Sequence, residues 1–297
     1  MTGDHIQGNL QNLTVEQYKD YTVEVFEYLY EEYGIVADLD NIRFSSMEIN
    51  CTFPLVHEFY KYHRVLRLMM FNLPQSFQKM GQVQQVNKKQ IRLETETFYR
   101  ANSSTGIKIY DKGKQLKDTQ KAVPSEPIMR MEFTLKTSQK IKEAFGSNLV
   151  RDLSDDKINE FFYRQFRKLF ENRYRKWQLQ NGERLRKMML RHKKEHKRKW
   201  QDNFLTECSS LEQQTQVPVL LGLEELLPHI KAFDQYGHCT RIYKSLVRRC
   251  ESDSVYLQKD GEKAEEIIQQ IHAAYLEYCQ RRKQNTEGFP PPSGEAA

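Results

Sequence analysis

Apolar residues fall at helical spacing through residues 14–33, where Val15, Tyr18, Val23, Val25, Phe26, Leu29 and Tyr30 recur at intervals near three and four. Thr14 with Glu16–Gln17 reads as an N-terminal cap, and Gly34 stops the helix. The period then changes to two. Over residues 42–53, Met47, Ile49, Cys51 and Phe53 share one face, while Glu48, Asn50 and Thr52 share the other; Pro54 ends the strand. A helix is expected over 56–71, and the Gln- and Lys-rich stretch 75–91 reads as an exposed loop. Strands follow at 92–100 and 106–112, joined through NSSTG, which supplies turn residues and a glycine. A basic connection over 113–126 leads to a strand at 128–135 and a short helix at 138–145 closed by Gly146.

From 155 to 204 the pattern predicts one long helix or two end to end, with Asn181–Gly182 as the break. Ile158, Phe161, Phe162, Phe166, Leu169 and Phe170 form an apolar stripe along its first part. A polar linker is expected over 207–216, then helices over 222–233, 239–250 and 261–283, and a disordered tail ending in GFPPPSGEAA. The predicted organisation is an α+β domain over 1–160, a long basic helix over 161–206, a helical C-terminal domain over 217–283 and the tail 284–297. The fold class is α+β: an antiparallel sheet covered by helices on one face, followed by the basic helix and the small helical region.

Charge sharpens this outline. The 297-residue chain carries a net +6, yet residues 164–200 hold 15 lysines and arginines against 3 glutamates, so the remainder is acidic. Such a concentration points to a polyanionic partner, because phosphate contacts release the counterions condensed on nucleic acid. Arg173, Arg175, Lys176, Arg184, Arg186, Lys187, Arg191, Lys193 and Lys194 are the candidate DNA-binding side chains of this helix. Tyr174, Trp177 and Trp200, interleaved with them, could stack on single-stranded bases, and Trp177 could equally pack against the sheet domain. His192 and His196 have a zinc-compatible spacing but sit among lysines that repel cations. The five cysteines are odd in number and never spaced as C-x-x-C, which fits a reducing cytoplasm. No apolar run is long enough to span a membrane, and no phosphate-binding glycine loop or nucleophilic serine or cysteine elbow is present.

The alternation of the three strands makes one specific point. Strand 106–112 turns Ile107 and Ile109 inward and Lys108, Tyr110 and Lys112 outward. Strand 128–135 buries Met129, Met131, Phe133 and Leu135 and leaves Arg130, Glu132 and Thr134 on its polar side. If these strands pair with 42–53, one open face carries Glu48, Glu132, Tyr110 and several cations. Two carboxylates can hold Mg²⁺ or Mn²⁺. A tyrosine hydroxyl helped to ionise by Lys108, Lys112 or the metal can attack a phosphodiester and keep the bond energy as a phosphotyrosine. Taken singly, each of these residues also has a structural reading as packing or solvated surface.

The ordered set IRFSSMEINCTF (42–53), IKIYDKGKQL (107–116) and PIMRMEFTLKTSQKIKEAFG (127–146) resembles the gene II-type replication initiators of filamentous phages and their plasmid relatives. The resemblance covers residues 20–175 best, and DQYGHCTRIYKSLVRRC (234–250) is similar to a helical stretch of the family's C-terminal region. It implies that Tyr110 is the nicking nucleophile and that Glu48 and Glu132 are the acidic residues of the site. It also implies nicking of an origin, rolling-circle synthesis of a phage or plasmid from the free 3′ end, and closure of the displaced strand. Single-stranded or origin DNA and a host helicase and polymerase would be the partners, in the cytoplasm of a bacterial host. Two departures are expected to matter. Family members usually carry further strands before the first helix seen here. None of the eight histidines lies in a His-hydrophobic-His triplet, so carboxylates would hold most of any metal. The rival expectation is a non-catalytic nucleic-acid-binding protein that uses the basic helix while the strands serve as scaffold.

Overall fold

The computed structural model describes residues 14–77, 79–81, 84–87, 90–93, 97–119, 124–233, 238–251 and 254–287. It has the α+β organisation expected from the pattern. Five strands form one sheet in the order β1 (Met47–Pro54), β7 (Ile128–Leu135), β6 (Thr105–Asp111), β5 (Thr97–Ala101) and β2 (Lys79–Gly81), every pair antiparallel. A separate two-stranded hairpin pairs β3 (Gln84–Asn87) with β4 (Gln90–Leu93). The stretch read as a loop over 75–91 therefore holds short strands. Its glutamines and lysines carry no period-two apolar signal, and pairing of the backbone makes the strands.

Helices cover the apolar face of the sheet. Ile49, Phe53, Ile107, Ile109, Met131, Phe133 and Leu135 share a core with Val65, Leu66 and Met69 of α2 (His63–Phe71) and Ile141 of α4 (Ser138–Phe145). Phe161, Phe162 and Phe166 of α5 (Asp155–Phe166) complete it from a third side, and the Phe133 and Phe162 rings lie 5.1 Å apart. Helix α1 (Val15–Tyr33) has the predicted capping box of Thr14 and Gln17 and ends at Gly34, whose φ of 66° is the left-handed conformation that glycine adopts without strain. It buries none of its residues; the Val15 N–H bonds the Asp155 carboxylate at 2.9 Å, and the Tyr18 and Phe44 rings lie 5.1 Å apart.

The long helical stretch is interrupted in an unexpected place. Between α5 and α6 (Asn172–His196) lies one wide π-type turn, Arg167–Glu171, whereas Asn181–Gly182 is continuous helix. Asn181 is buried and its Nδ2 donates to the Val219 carbonyl at 2.7 Å. A Cβ on Gly182 would come within 2.9 Å of the His229 ring. These two residues are therefore packing choices at a helix crossing. The real break falls at Lys197, with φ 42°.

The segment expected as a polar linker over 207–216 is instead the end of α7 (Trp200–Thr215). Leu205 and Cys208 bury one of its faces, with Leu211 partly buried beside them. With Leu185, Met188, Met189, Trp200 and Phe204 they build a second core, shared with residues 219–230 and with α9 (Cys239–Cys250). The last four residues of that stretch begin α8 (Leu227–Phe233).

The region expected as one helical domain over 217–283 divides between the two cores. Helix α10 (Asp260–Glu287) returns to the sheet, where Ala264, Ile267, Ile268 and Ile271 join the first core. The junction is ionic: Asp260, fully buried, accepts from Arg64 Nε at 2.9 Å and from Lys263 Nζ at 2.8 Å, while Arg64 also pairs with Glu212. Residues before 14 and after 287 lie outside the described residues, including most of the expected tail.

Candidate active site

Directly opposed residues in an antiparallel pair point to the same side, so the strand register defines the polar face row by row. In one row, Asn50, Glu132 and Lys108 stand abreast, with Tyr99 beyond on β5. In the next row toward the far end of β7, Thr52, Arg130 and Tyr110 stand abreast, followed by Thr97. Glu48 lies one row to the other side, opposite Thr134, where Gly106 on β6 contributes no side chain. A Glu48 side chain therefore reaches Glu132 along the diagonal that joins neighbouring strands.

Tyr110, Glu48, Glu132, Lys108 and Arg130 thus converge. The Tyr110 hydroxyl donates to Glu132 Oε1 at 2.7 Å. The Lys108 ammonium lies 3.7 Å from Glu132 Oε2 and 4.3 Å from the centre of the Tyr110 ring. Arg130 Nε donates to Thr52 Oγ1 at 2.6 Å. Glu132 Oε2 is buried and receives no hydrogen bond from an N–H or hydroxyl of the described residues. A protonated Glu48 is a group that can donate to Glu132.

The face is less open than its polarity implied. Tyr110 and Glu132 are each 5% exposed and Arg130 is 2% exposed. Against this end of β7 packs α3 (Lys112–Asp118), a helix within the stretch read as a connection over 113–126. The Asp111 carboxylate caps it by accepting from the Lys114 N–H at 2.9 Å, and Leu116 is buried. Gly113 packs close to Ile128, a β7 residue with the parity of Arg130 and Glu132. The Tyr110–Arg130 end is thereby closed, while Glu48 stays exposed and the Lys108 side chain keeps 35% of its surface.

Lys112 is the expected site residue that the structure places elsewhere. Strand β6 ends at Asp111, so Lys112 is the first residue of α3 and not an outward strand position. It is buried, and its Nζ bonds Gln115 Oε1 at 2.8 Å.

The electrostatics depart from the sequence expectation at the tyrosine. Burial raises the Tyr110 pKa, and the hydrogen bond to Glu132 and that group's negative charge raise it further; Arg130 opposes the shift. The hydroxyl is therefore held protonated, and its proton is directed at a carboxylate. Glu48 is pushed up to about 7 by burial first and then by its contact with Glu132, with Lys108 and Arg130 opposing. The residue is exposed by area, but its carboxyl is turned against the sheet, and the carboxyl's surroundings set the pKa. Two acids in contact do not both ionise readily, so the pair retains a proton close to neutral pH.

Among the described residues no three His, Cys, Asp or Glu side chains cluster around a common point, so any metal here would rest on two carboxylates. His192 is not a ligand of that kind either: it is buried in the second core's rim, bonded to Glu207 through Nε2.

The basic helix keeps part of its expected role. Arg184, Lys187 and Arg191 line an open groove of about 430 Å³ along α6, together with Gln180, Glu183 and Met188. Several of its cations are engaged inside the molecule. Arg173 donates to the Asn72 carbonyl at 2.8 Å, Arg175 pairs with Glu265, Arg186 and Lys187 pair with Glu183 at 3.0 and 3.6 Å, and Arg191 pairs with Glu207. Lys193 and Lys194 are exposed, as are Lys176 and Arg184; Lys176, Arg184 and Lys194 form no ion pair among the described residues. Tyr174 and Trp200 are buried in the first and second cores, and Trp177 packs against the first, so these rings are core rather than base-stacking groups.

Sequence reasoning missed Thr52, which orients Arg130, although its place on the polar face was readable from the period of two. It also missed the chain Tyr163 Oη–His272 Nδ1 (2.8 Å) and His272 Nε2–Glu171 Oε2 (3.1 Å), which ties α10 to the π-type turn and depends on a contact no local pattern announces.

No family model, no curated protein and no solved structure matches the chain.

Proposed function

We propose that this chain is a replication initiator that nicks and rejoins origin DNA through a covalent phosphotyrosine at Tyr110, and so starts rolling-circle replication of a phage or plasmid in a bacterial cytoplasm. The observation that supports this most is the Tyr110 hydroxyl 2.7 Å from the Glu132 carboxylate, on a face that also holds Glu48, Lys108 and Arg130. A phenol that stays protonated needs a base at the moment of attack, and Glu132 is in place to be it.

In the forward step the Tyr110 oxygen forms a bond to phosphorus and its proton passes to Glu132. The bond from phosphorus to the 3′ oxygen breaks, and that oxygen takes up a proton, for which Glu48 is a source near neutral pH. Rejoining runs the same exchange in reverse. Lys108 and Arg130 offset charge on the phosphoryl oxygens. Glu48 and Glu132 are the residues that would hold Mg²⁺ or Mn²⁺ in place of the proton they share, and the 3′ oxygen would then take its proton from water instead of from Glu48. When bound, the metal would polarise the phosphoryl group and balance charge in the transition state. The exposed cations of α6 supply a sequence-independent grip on single-stranded or unwound DNA, from which a host helicase and polymerase would take over.

Among the described residues no helix is long and apolar enough to cross a membrane. The closure of the site by α3 favours the rival reading, a nucleic-acid-binding protein whose polar cluster is structural. Incubation with labelled single-stranded origin DNA and Mn²⁺, followed by denaturation, separates the two. The nickase gives a covalent adduct that Tyr110→Phe abolishes and Tyr99→Phe keeps; absence of an adduct in every form supports the binding protein.

A further inference from the structure

Helix α9 is divided lengthwise into two chemically opposite halves. Cys239, Ile242, Tyr243, Leu246, Val247 and Cys250 recur at helical spacing and pack into the second core, with Leu246 fully buried. The other half presents Arg241, Lys244 and Arg248 along one stripe, and with His238, Thr240 and Ser245 they line an open groove of about 600 Å³. Among the described residues no acidic side chain lines it. Among the described residues none of the three cations forms a salt bridge, whereas Arg249, just off the stripe, pairs with Asp202 at 3.3 Å. This contrasts with α6, where most arginines are paired internally.

We infer that this exposed face of α9 is a binding surface for double-stranded DNA, separate from the sheet site. Three unpaired cations at i, i+3 and i+7 span about 10 Å of helix, a length comparable with the width of the major groove, which admits an α-helix. Arginine, threonine, serine and histidine can all hydrogen-bond to phosphates or base edges there. A single strand is the poorer fit: Tyr243 packs inward, and among the described residues no tyrosine, tryptophan or phenylalanine lines the groove for unpaired bases to stack on. A membrane surface is poorer still, since a helix lying on lipid turns its apolar side outward, and here that side is occupied by the core. The inference goes beyond the nicking reading and requires no step at Tyr110.

The test measures binding of the full-length chain to a labelled 20-bp duplex and to a single strand of equal length, by fluorescence anisotropy across a salt titration. Arg241→Ala/Lys244→Ala/Arg248→Ala is expected to lower the slope of log K against log salt for the duplex by about 3, near 0.9 for each phosphate that is no longer neutralised, and to weaken duplex binding more than tenfold. Single-strand binding is expected to stay within twofold. Arg241→Lys/Arg248→Lys, which keeps the charge, is expected to restore the slope. The three single Ala variants, each lowering the slope by about 0.9, serve as the readout if the triple variant melts early. An unchanged duplex slope overturns the inference, as does an equal loss on duplex and single strand. Failure to detect a Tyr110 adduct leaves it standing, because that result bears on the sheet site alone.

Discussion

Removing one oxygen atom tests the proposed site most directly. Tyr110→Phe leaves the ring between Lys108 and the sheet but deletes the donor that Glu132 Oε1 receives at 2.7 Å. The position is 5% exposed, so no solvent replaces that donor without a rearrangement. A hydrogen bond to a charged group contributes roughly 1.5–3 kcal/mol, and a buried acceptor left alone costs a similar amount. For a chain of this size about 2 °C of Tm corresponds to each kcal/mol, so a drop of about 3–6 °C is expected in a thermal melt. The adduct with origin DNA should vanish at temperatures where the variant remains fully folded. Tyr99, partly exposed and opposite Lys108, is the control: Tyr99→Phe should keep the adduct. A Tyr110→Phe protein that still forms a covalent adduct refutes the role of this phenol. A melt within 1 °C of the parent refutes the buried hydrogen bond itself.

Glu48, raised to about 7 from 4.5, favours the folded state when protonated; that stabilisation is full below about 4.5 and is lost as pH rises through about 7. Glu48→Gln should therefore flatten the Tm–pH profile across this window, and an undiminished slope would count against the carboxyl pair. Glu225, pushed up to about 8 by burial, follows the same sign. Glu225→Gln can still accept the Leu221 N–H and should raise Tm at pH 8 more than at pH 5, a difference that differential scanning calorimetry reads directly. Asp260→Ala leaves Arg64 and Lys263 without their buried partner and is expected to cost about 3–5 kcal/mol in chemical denaturation. A loss under 1 kcal/mol would show that the ionic junction is not what fastens α10.

The three site strands were legible because period-two alternation is a local property: Met129, Met131 and Phe133 on one side fix Arg130 and Glu132 on the other. The convergence of Glu48, Tyr110 and Glu132 followed once the strands were taken to pair. What could not be read depends on longer range. Lys112 was placed on the strand because its parity continued, and only the Asp111 cap turns the chain into a helix there. The tyrosine is buried at this end of the sheet and bonded to Glu132, which reversed the expected pKa direction. Asn181–Gly182 looked like a break because its composition favours one, while its neighbours Val219 and His229 come from the connection after α7 and from α8. The end of α7 looked like a linker because only one narrow side of it is apolar.

The return of α10 to the sheet gives the chain a further property. The unit that carries α9 is attached at two points, leaving through α6 and coming back through α10. It is thus an insertion rather than an appendage. Trimming the chain from its C-terminus would strip Ile267, Ile268 and Ile271 from the sheet core before it released that unit. Two attachments also confine how far the inserted unit can swing relative to the sheet, more tightly than a single attachment would.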